Sequence, residues 1–324
     1  MKYLSELIQV PGKAGNMFPF KGAPDISKGK NRVNILALGD VGATILTGLK
    51  LLGGGDIEEI GIYDLNPKLL IRYEYEMNQT NYPFNYDHFP KVRIIEEKNL
   101  FDCNVFIFCA SKSTPVINTG VGDIRMSQYK ANKPIVEHYA AMAGSRGFKG
   151  LFAVVSDPVD PLCRAALLNS ELKPWQIQGF GLGVMNSRAA YYAKDNEKFR
   201  SFLTEGRSFG PHGQDLVIAN SVIDYDDAIS QELTKLTVES NLKMREVGFK
   251  PYIAPAISSG VLSILLTLKG EWHYSSNYLE YDGKGAFLGS KNRMVYNKIE
   301  LENLLLQTLL FDRINTAYKN LINL

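Results

Sequence analysis

The stretch VNILALGDVGATILTGLKLLGGGDIEEIGIYDLNP, residues 33–67, decides the fold. It opens with an apolar run at 33–38, which is typical of a strand covered on both faces of a parallel sheet. Residues 40–52 then have apolar side chains at helical spacing, and a glycine triplet ends the predicted helix. A second strand at 59–63 follows and brings Asp64 to its carboxyl end. The stretch therefore predicts a β-α-β unit.

The turn between the first strand and the helix matches a phosphate-binding pattern. Residues 37–42 read ALGDVG, against the dinucleotide-binding pattern G-x-G-x-x-G. Gly39 would let the backbone approach a pyrophosphate, and Gly42 would let the helix pack closely on the strand. The helix begins with Asp40 and Val41, and its amino end would supply free N–H groups and a positive dipole. Alanine stands at 37, where the pattern has its first glycine.

Asp64 completes this candidate nucleotide site. It lies 25 residues after Gly39 (64 − 39), near the spacing of about 20 at which an acid accepts hydrogen bonds from a ribose. A carboxylate there would repel a 2′-phosphate, so the residue favours NAD over NADP. A strand-turn-helix that needs its glycines only for packing explains this stretch as well, and the two interpretations stay open at this point.

Composition excludes several classes of protein. The 324 residues are long enough for two domains, and 45% apolar with 22% charged residues is ordinary for a globular chain. The net charge is 36 − 34 = +2 without a basic block, so a nucleic-acid partner is not expected. No apolar run reaches the roughly 18 residues of a membrane span, and the polar start does not resemble a secretory signal. The three cysteines lack metal-ligand spacing and fit a reducing compartment, so we expect a cytoplasmic protein without a bound metal.

Further apolar strands alternate with helices as far as residue 183. Strands are predicted at 91–95, 103–110, 150–156 and 175–182, which indicates a doubly wound parallel sheet of the α/β class. Ligands bind beyond the carboxyl ends of strands in such sheets. A long loop rich in serine, threonine, proline and glycine follows the fourth strand at 111–125, as expected of a loop that covers a site. The candidate site residues along this edge are Gly39, Asp64, Ala110, Ser111 and Ser156.

The regular alternation of strands and helices ends after residue 183. Helices are predicted at about 187–194 and 230–244, an apolar small-residue segment at 253–269, strands between 271 and 300, and a last helix at 300–321. We therefore predict three parts: an N-terminal arm at 1–30, a nucleotide-binding Rossmann domain at 31–183, and an α+β substrate domain at 184–324. The arm is rich in proline and glycine, and either lies on another surface or is a loosely ordered terminus.

The order of four short motifs resembles one family, the NAD-dependent lactate/malate dehydrogenases. The motifs are the family's G-x-G-x-V-G-A-T, here ALGDVGAT at 37–44; T/S-N-P-V-D, here SDPVD at 156–160; L-D-x-x-R, here VMNSR at 184–188; and G-x-H-G-D, here GPHGQD at 210–215. Each motif is weak by itself, whereas their common order from residue 31 to the end is specific. The resemblance implies a Rossmann fold, NAD as cofactor and a 2-hydroxy or 2-oxo acid as substrate.

The resemblance also assigns roles. His212 takes the position of the family's proton-transferring histidine, a side chain that titrates near neutral pH when unperturbed. Arg188 takes the position of the arginine that binds the substrate carboxylate as a planar two-pronged donor. The family's R-x-x-x-x-x-x-N pattern falls on residues 125–132 without a gap. It makes Arg125 the loop arginine that polarises the carbonyl and Asn132 an amide on the cofactor or substrate side.

The sequence departs from the family pattern at two positions, and both affect the proton transfer assigned to His212. The family's aspartate, which orients the histidine, falls on Met185 in an ungapped alignment and on Asn186 with a one-residue gap, and neither is an anion. At the same time the amide of the family's N-P-V-D has become an acid, Asp157. Two interpretations compete: Asp157 supplies the lost anion to His212 from the opposite wall, or the site has decayed and binds nucleotide without turnover.

The sequence thus predicts an NAD-dependent 2-hydroxy-acid dehydrogenase with His212, Arg125, Arg188 and Asp157 as catalytic residues. No arginine precedes Arg125 in the loop where malate enzymes carry one, and Lys112 is the loop's first cation. A substrate nearer to lactate than to malate is therefore expected, in a pocket lined by Pro251 and Tyr252. The alternatives are an inactive NAD-binding homologue with a sensing or assembly role and hydride chemistry on another carbonyl or imine. The resemblance further implies a homodimer or homotetramer.

Overall fold

A computed structural model describes residues 1–10, 20–21, 26, 29–112, 124–296 and 298–324, without the side chains of residues 20, 21, 124 and 125. The strands of this part of the chain are β1 Lys2–Tyr3, β2 Phe20–Lys21, β3 Asn31–Leu36, β4 Ile57–Tyr63, β5 Lys91–Ile94, β6 Val105–Phe108, β7 Leu151–Val154, β8 Ile177–Gly179, β9 Arg207–Phe209, β10 Val217–Ala219, β11 His273–Tyr281, β12 Lys284–Val295, β13 Lys298–Leu301 and β14 Leu305–Leu306. The α-helices are α1 Asp40–Leu52, α2 Pro67–Asn78, α3 Ile124–Ser145, α4 Val159–Leu168, α5 Leu182–Asp195, α6 Phe202–Glu205, α7 Asp227–Glu246, α8 Ser263–Lys269 and α9 Thr308–Ile322. A π-helix, Pro255–Leu262, runs directly into α8.

Six parallel strands form the doubly wound sheet that the sequence predicts. Their order is β8-β7-β6-β3-β4-β5, so the chain starts in the middle, moves to one edge and then returns to fill the other side. This order reverses beside β3, and ligands of such sheets bind at the carboxyl ends of the strands on either side of the reversal, here β3 and β6. The predicted α/β fold class is confirmed, and the glycine turn directly follows β3, where the strand order reverses.

Helices cover both faces of this sheet. In β6, Val105 and Ile107 belong to the apolar cluster that contains α1, whereas Phe106 and Phe108 belong to the cluster that contains α3 and α4. Because alternate side chains of a strand point to opposite faces, both faces of β6 are buried. This explains why the central strands carry apolar runs without a polar face.

The sheet continues beyond the parallel strands. Strand β11 pairs antiparallel with β8 through Ser276 and Gly179, and β12, β13 and β2 follow in order, so ten strands form one sheet. The strands that the sequence predicts between residues 271 and 300 are these antiparallel neighbours. The pairing fixes residues of the second half of the chain directly beside the parallel strands.

Two predicted boundaries are wrong. The last helix begins at Thr308 and not at residue 300, because residues 298–301 pair with β12 and residues 305–306 pair with β1. The predicted strand at 175–182 is only β8, and its last residue already starts α5. In both places an apolar run fits a strand or a buried helix equally well by periodicity, and tertiary pairing decides between them.

The described part of the N-terminal arm lies on the C-terminal part of the same chain. Strand β1 pairs with β14, and the 3₁₀ helix Leu4–Ile8 follows it. Leu4 and Leu7 are buried, and the N–H of Ser5 donates to Asn303 Oδ1 at 3.0 Å. Ile8 is partly buried against the same apolar cluster, whereas the predicted contacts of Phe18 and of the Phe20 side chain lie outside the described part of the chain. Among the described residues, no helix combines the length and apolar character that crossing a bilayer requires.

A strained alanine in the glycine turn gives a first prediction. Ala37 has φ +73°, a left-handed conformation that costs an L-residue roughly 1–2 kcal/mol. We expect Ala37→Gly to raise the free energy of unfolding by up to about 1 kcal/mol, since glycine adopts this conformation freely but gives up some chain entropy and a methyl group. The matched control Ala43→Gly, inside α1, should lower it by about the same amount. Urea denaturation measures both, and equal losses in the two variants would contradict the assignment of strain to Ala37.

One buried histidine links stability to pH. His273, which starts β11, is 4% exposed. Its Nδ1 pairs with the carbonyl oxygen of Glu271 at 3.0 Å, and its Nε2 with the hydroxyls of Thr267 and Ser275 at 2.9 and 3.1 Å. Burial lowers the pKa of His273 from 6.5 to about 4. The neutral ring, which donates from Nδ1 and accepts at Nε2, is therefore the folded form.

The contribution of His273 to stability is present above pH 6.5 and is lost as the pH falls towards 4, because only the unfolded chain binds the proton in this window. We expect the free energy of unfolding to fall by about 3 kcal/mol across it from this group. Urea denaturation at several pH values measures the loss. The variant His273→Gln should lack this part of the pH dependence, and His88→Gln, at an exposed position, should retain it. The same pH dependence in the His273 variant would disprove the assignment.

Candidate functional site

The glycine turn has the shape of a dinucleotide cradle. Strand β3 ends at Leu36, the chain turns through Ala37, and Gly39 is the N-cap of α1. A Cβ at Gly42 would lie 1.9 Å from the carbonyl oxygen of Ala37, so no larger residue fits there, whereas a Cβ at Gly39 would meet nothing within 4 Å. Gly42 therefore allows α1 to pack on the turn, and Gly39 leaves open space in front of the helix amino end.

Asp64 lies beside this turn, at the carboxyl end of β4. Its Oδ2 accepts from the N–H of Leu38 at 2.7 Å, and its Oδ1 accepts from the N–H of Asn66 at 2.8 Å. Each carboxylate oxygen can accept more than one hydrogen bond, so the half-buried carboxylate has capacity left for ribose hydroxyls. The residue thus ties the end of β4 to the turn in addition to its predicted cofactor role.

The first two residues of α1 differ in their surroundings. Val41 is half-buried against the apolar cluster of α1. Asp40 is exposed, and its Oδ2 lies 3.3 Å from Nζ of Lys250. This contact brings the segment before the π-helix, which contains Pro251 and Tyr252, to the front of the glycine turn. Because both charges are largely in solvent, the pair itself adds little stability.

The predicted residues at the ends of β6 and β7 form one hydrogen-bonded group. The Ser156 hydroxyl donates to the Ala110 carbonyl oxygen at 2.8 Å. Asn132 is 1% exposed, and its Nδ2 donates to the Asp157 carbonyl oxygen at 2.8 Å and to the Ser111 hydroxyl at 3.3 Å. Its Oδ1 accepts from the N–H of Lys112 at 2.9 Å. Asn132 therefore holds the start of the loop to the segment that carries Asp157.

His212 follows β9 in a turn with two glycines in left-handed conformations. Gly210 has φ +93°, and its N–H donates to the Gly289 carbonyl oxygen at 3.0 Å, which fixes the start of the turn on β12. A Cβ at Gly181 would lie 2.9 Å from Cβ of His212, so the absence of a side chain after β8 makes room for the histidine. The N–H of His212 donates to Oδ2 of Asp160 at 3.0 Å. The histidine is thus held at its backbone as well as at its ring.

The imidazole of His212 pairs with Asp157. Nδ1 lies 2.9 Å from Oδ1 of Asp157, and the two side chains are 9% and 48% exposed. A carboxylate accepts only, so the Nδ1 proton points to Asp157 and Nε2 is the atom that gains or loses a proton. Nε2 is buried and has no hydrogen-bond partner within the described part of the chain. The pair can therefore exchange a proton with a group placed at Nε2.

Arg188 lies on α5 as a half-buried cation. Its Nη1 lies 3.7 Å from Sδ of Met185, and its Nη2 donates to Oδ1 of Asn241 on α7. No carboxylate among the described residues forms an ion pair with it. Burial lowers the pKa of Arg188, and the negative charge of Asp157 acts in the opposite direction. A guanidinium always stays charged, so its desolvation favours an added anion.

The structure places Arg125 and the two positions on which the family's aspartate falls, Met185 and Asn186. Arg125 lies in the first turn of α3, and its side chain is outside the described part of the structure. Met185 is buried and its sulfur contacts Arg188, whereas Asn186 accepts from the Ser208 hydroxyl at 3.3 Å and lines a separate cavity of about 370 Å³. The contacts of Asn186 thus give it no place at His212.

The sequence did not single out three residues that contact this group. Asp160 is the last residue of the SDPVD motif, and its place in that motif is the one sequence signal that could have indicated a role at the site. No sequence motif marks Gly181 or Asn241, because their roles come from contacts with His212 and Arg188, which lie on other elements.

Comparison with known proteins points to one family, although no family model matches the chain. The L-lactate dehydrogenase of Mesomycoplasma hyopneumoniae strain 232 is 23% identical over 221 residues, 67% of each chain. The L-lactate dehydrogenase of Treponema denticola is 26% identical over 186 residues, 57% of this chain and 55% of that protein.

Solved structures show the same fold. A lactate dehydrogenase from a Medee basin deep-sea metagenome superposes with a TM-score of 0.72 at 18% identity, covering 90% of this chain and 97% of that one. The malate dehydrogenase of Archaeoglobus fulgidus, solved in complex with NADH, has a TM-score of 0.71 at 17% identity and the same coverage.

Proposed function

We propose that this chain, a divergent member of the lactate and malate dehydrogenase family, is an NAD-dependent oxidoreductase that interconverts a 2-hydroxy acid and its 2-oxo acid. One observation supports this most: Nε2 of His212 is buried and has no hydrogen-bond partner among the described residues, and Asp157 orients its ring at Nδ1. Arg188, which makes no ion pair within the described part of the chain, feels the negative charge of the same Asp157. Reduction of a 2-oxo acid needs a proton donor beside the carbonyl and a cation for the carboxylate. Both are present.

The residues of the glycine turn fit NAD. The space in front of Gly39, the close packing at Gly42 and the carboxylate of Asp64 correspond to the pyrophosphate and ribose contacts of a dinucleotide. The acid at 64 disfavours a 2′-phosphate and therefore NADP. A nicotinamide held there by the glycine turn and Asp64 would supply the hydride chemistry that interconverts the hydroxy acid and the oxo acid.

His212 would move the proton. In the neutral ring, Nδ1–H donates to Asp157 and Nε2 accepts the hydroxyl proton of the substrate; in the protonated ring, Nε2 donates to the carbonyl oxygen. Asp157 stabilises the cationic ring and fixes its tautomer. We propose on this basis that Asp157 has taken over the role of the aspartate that Met185 replaces.

Arg188 would bind the substrate carboxylate. Its contacts with Met185 and Asn241 use two of the five guanidinium protons, so three donors remain for a carboxylate. Arg125, in the first turn of α3 just after the loop, would polarise the carbonyl. Asn132 would support this arrangement by holding the backbone of Asp157.

The substrate we propose is closer to lactate than to malate. A second substrate carboxylate would need a loop cation before Arg125, and Lys112 is the first that the sequence offers. Lys250 contacts Asp40 in front of the glycine turn, and its neighbours Pro251 and Tyr252 would line the pocket for a neutral or larger side chain.

The decisive experiment follows NADH absorbance with pyruvate, 2-oxobutyrate, phenylpyruvate and oxaloacetate at high protein concentration. We expect turnover with at least one of the first three, weaker turnover with oxaloacetate, and none with the variant His212→Asn. NADH binding without turnover of any oxo acid would instead support the inactive sensing or assembly protein. Turnover only with added amine or unrelated carbonyls would indicate the third alternative.

A further inference from the structure

Asp160 is a buried carboxyl next to the proposed proton-transfer pair. It lies in the first turn of α4, is 3% exposed and uses both oxygens as acceptors. Oδ2 accepts from the N–H of His212 at 3.0 Å, and Oδ1 accepts from the hydroxyl of Ser276 on β11. Burial raises the pKa of Asp160, while these two donors act in the opposite direction. Its hydrogen bond to His212 is made at the backbone, so it does not take part in the proton transfer at Nε2.

The turn that carries His212 needs such an anchor. Gly210 and Gly213 have φ +93° and +129°, and residues without a Cβ restrict the backbone least. Asp157 holds the ring at Nδ1, yet a ring held at one atom can still swing with its backbone. A second hydrogen bond at the backbone N–H fixes the start of the side chain, and the two together fix the direction of Nε2.

We infer that Asp160 is a positioning residue: with Ser276, it clamps the backbone of His212 to the sheet so that Nε2 faces the reacting oxygen. The inference rests on the proposed function and extends it to a residue that its chemistry does not require. The clamp runs from β11 through Ser276 and Asp160 to the histidine. It therefore ties the antiparallel extension of the sheet to the active site.

The test compares Asp160→Ala with Asp160→Asn. Alanine removes the clamp, and a displacement of about 1 Å can cost roughly 100-fold in rate, so we expect kcat to fall about 100-fold. Asparagine can accept from His212 with Oδ1 and donate to Ser276 with Nδ2, so it should keep kcat within about five-fold of the wild type. Ser276→Ala, which leaves Asp160 in place, should show a smaller fall than Asp160→Ala.

A second readout keeps the inference separate from the proposed function. The His212 imidazole signal in an NMR spectrum of histidine-labelled protein, assigned with His212→Asn, should split or broaden in Asp160→Ala and stay single in Asp160→Asn. If the wild type turns over no oxo acid, the proposed function fails and this signal still decides whether the clamp exists. Unchanged kcat and signal in Asp160→Ala, or equal damage in Asp160→Asn, would overturn the inference. Thermal unfolding and NADH binding identify any variant that has merely lost its fold.

Discussion

Replacement of Asp157 by asparagine is expected to lower kcat by about 10²- to 10⁴-fold. The carboxylate 2.9 Å from Nδ1 of His212 selects the tautomer and stabilises the protonated ring. An amide either presents its N–H₂ to Nδ1, which selects the wrong tautomer, or presents its oxygen without the negative charge. Steady-state rates of NADH oxidation with the best oxo acid measure the effect.

The matched control for this prediction is Asp224→Asn, an exposed carboxylate elsewhere on the surface, which should leave kcat unchanged. The Asp157 variant should keep its unfolding temperature within a few degrees, because its carboxylate is half exposed. Full turnover in Asp157→Asn would show that the anion has not moved to this position. The interpretation of a relocated carboxylate would then be wrong even if the protein is a dehydrogenase.

Replacement of Arg188 by lysine or methionine is expected to lower kcat/KM for the oxo acid by about 100-fold or more, with methionine the more damaging. Lysine keeps a charge but loses the planar two-pronged geometry that fits a carboxylate. NADH binding should be unaffected. Because the guanidinium is partly desolvated without a carboxylate partner among the described residues, Arg188→Met should be at least as stable as the wild type.

A second half-buried arginine provides the contrast. Arg207 makes two hydrogen bonds to Glu302, at 2.5 and 2.9 Å. Arg207→Met should therefore lower the free energy of unfolding, by up to about 3 kcal/mol, and leave kcat/KM nearly unchanged. Denaturation and kinetics on both variants thus separate a cation kept for structure from one kept for substrate. Loss of stability in Arg188→Met with unchanged kcat/KM would assign it a structural role instead.

The loss of the family's aspartate and the gain of an acid at 157 both affect the proton that His212 would transfer. The family's aspartate falls on Met185, a buried thioether against Arg188, in an ungapped alignment and on Asn186 with a one-residue gap, while Asp157 contributes a carboxylate from the segment before α4. The sequence contained both changes but allowed relocation and decay alike. The 2.9 Å contact between residues 55 apart in sequence supports relocation, and the kinetics of Asp157→Asn test it.

Local signals in the sequence determined the fold class. The apolar runs of the central strands, the glycine turn at 37–42 and the start and end of α1 depend on neighbours a few residues away, so the sequence predicts them correctly. The prediction that the last helix begins at residue 300 is wrong because the structure there depends on distant residues. Its residues pair with β12 and β1, and such pairing with distant strands outweighs local preference.

Tertiary structure alone decided which candidate residues meet. His212 reaches Asp157 and Asp160 because β7 and β8 end side by side and Gly181 leaves room for its ring. Arg188 meets Asn241 only because α5 packs on α7. Periodicity reports which face of an element is buried, whereas the distance between two side chains on different elements depends on how those elements pack, and no single segment carries that information.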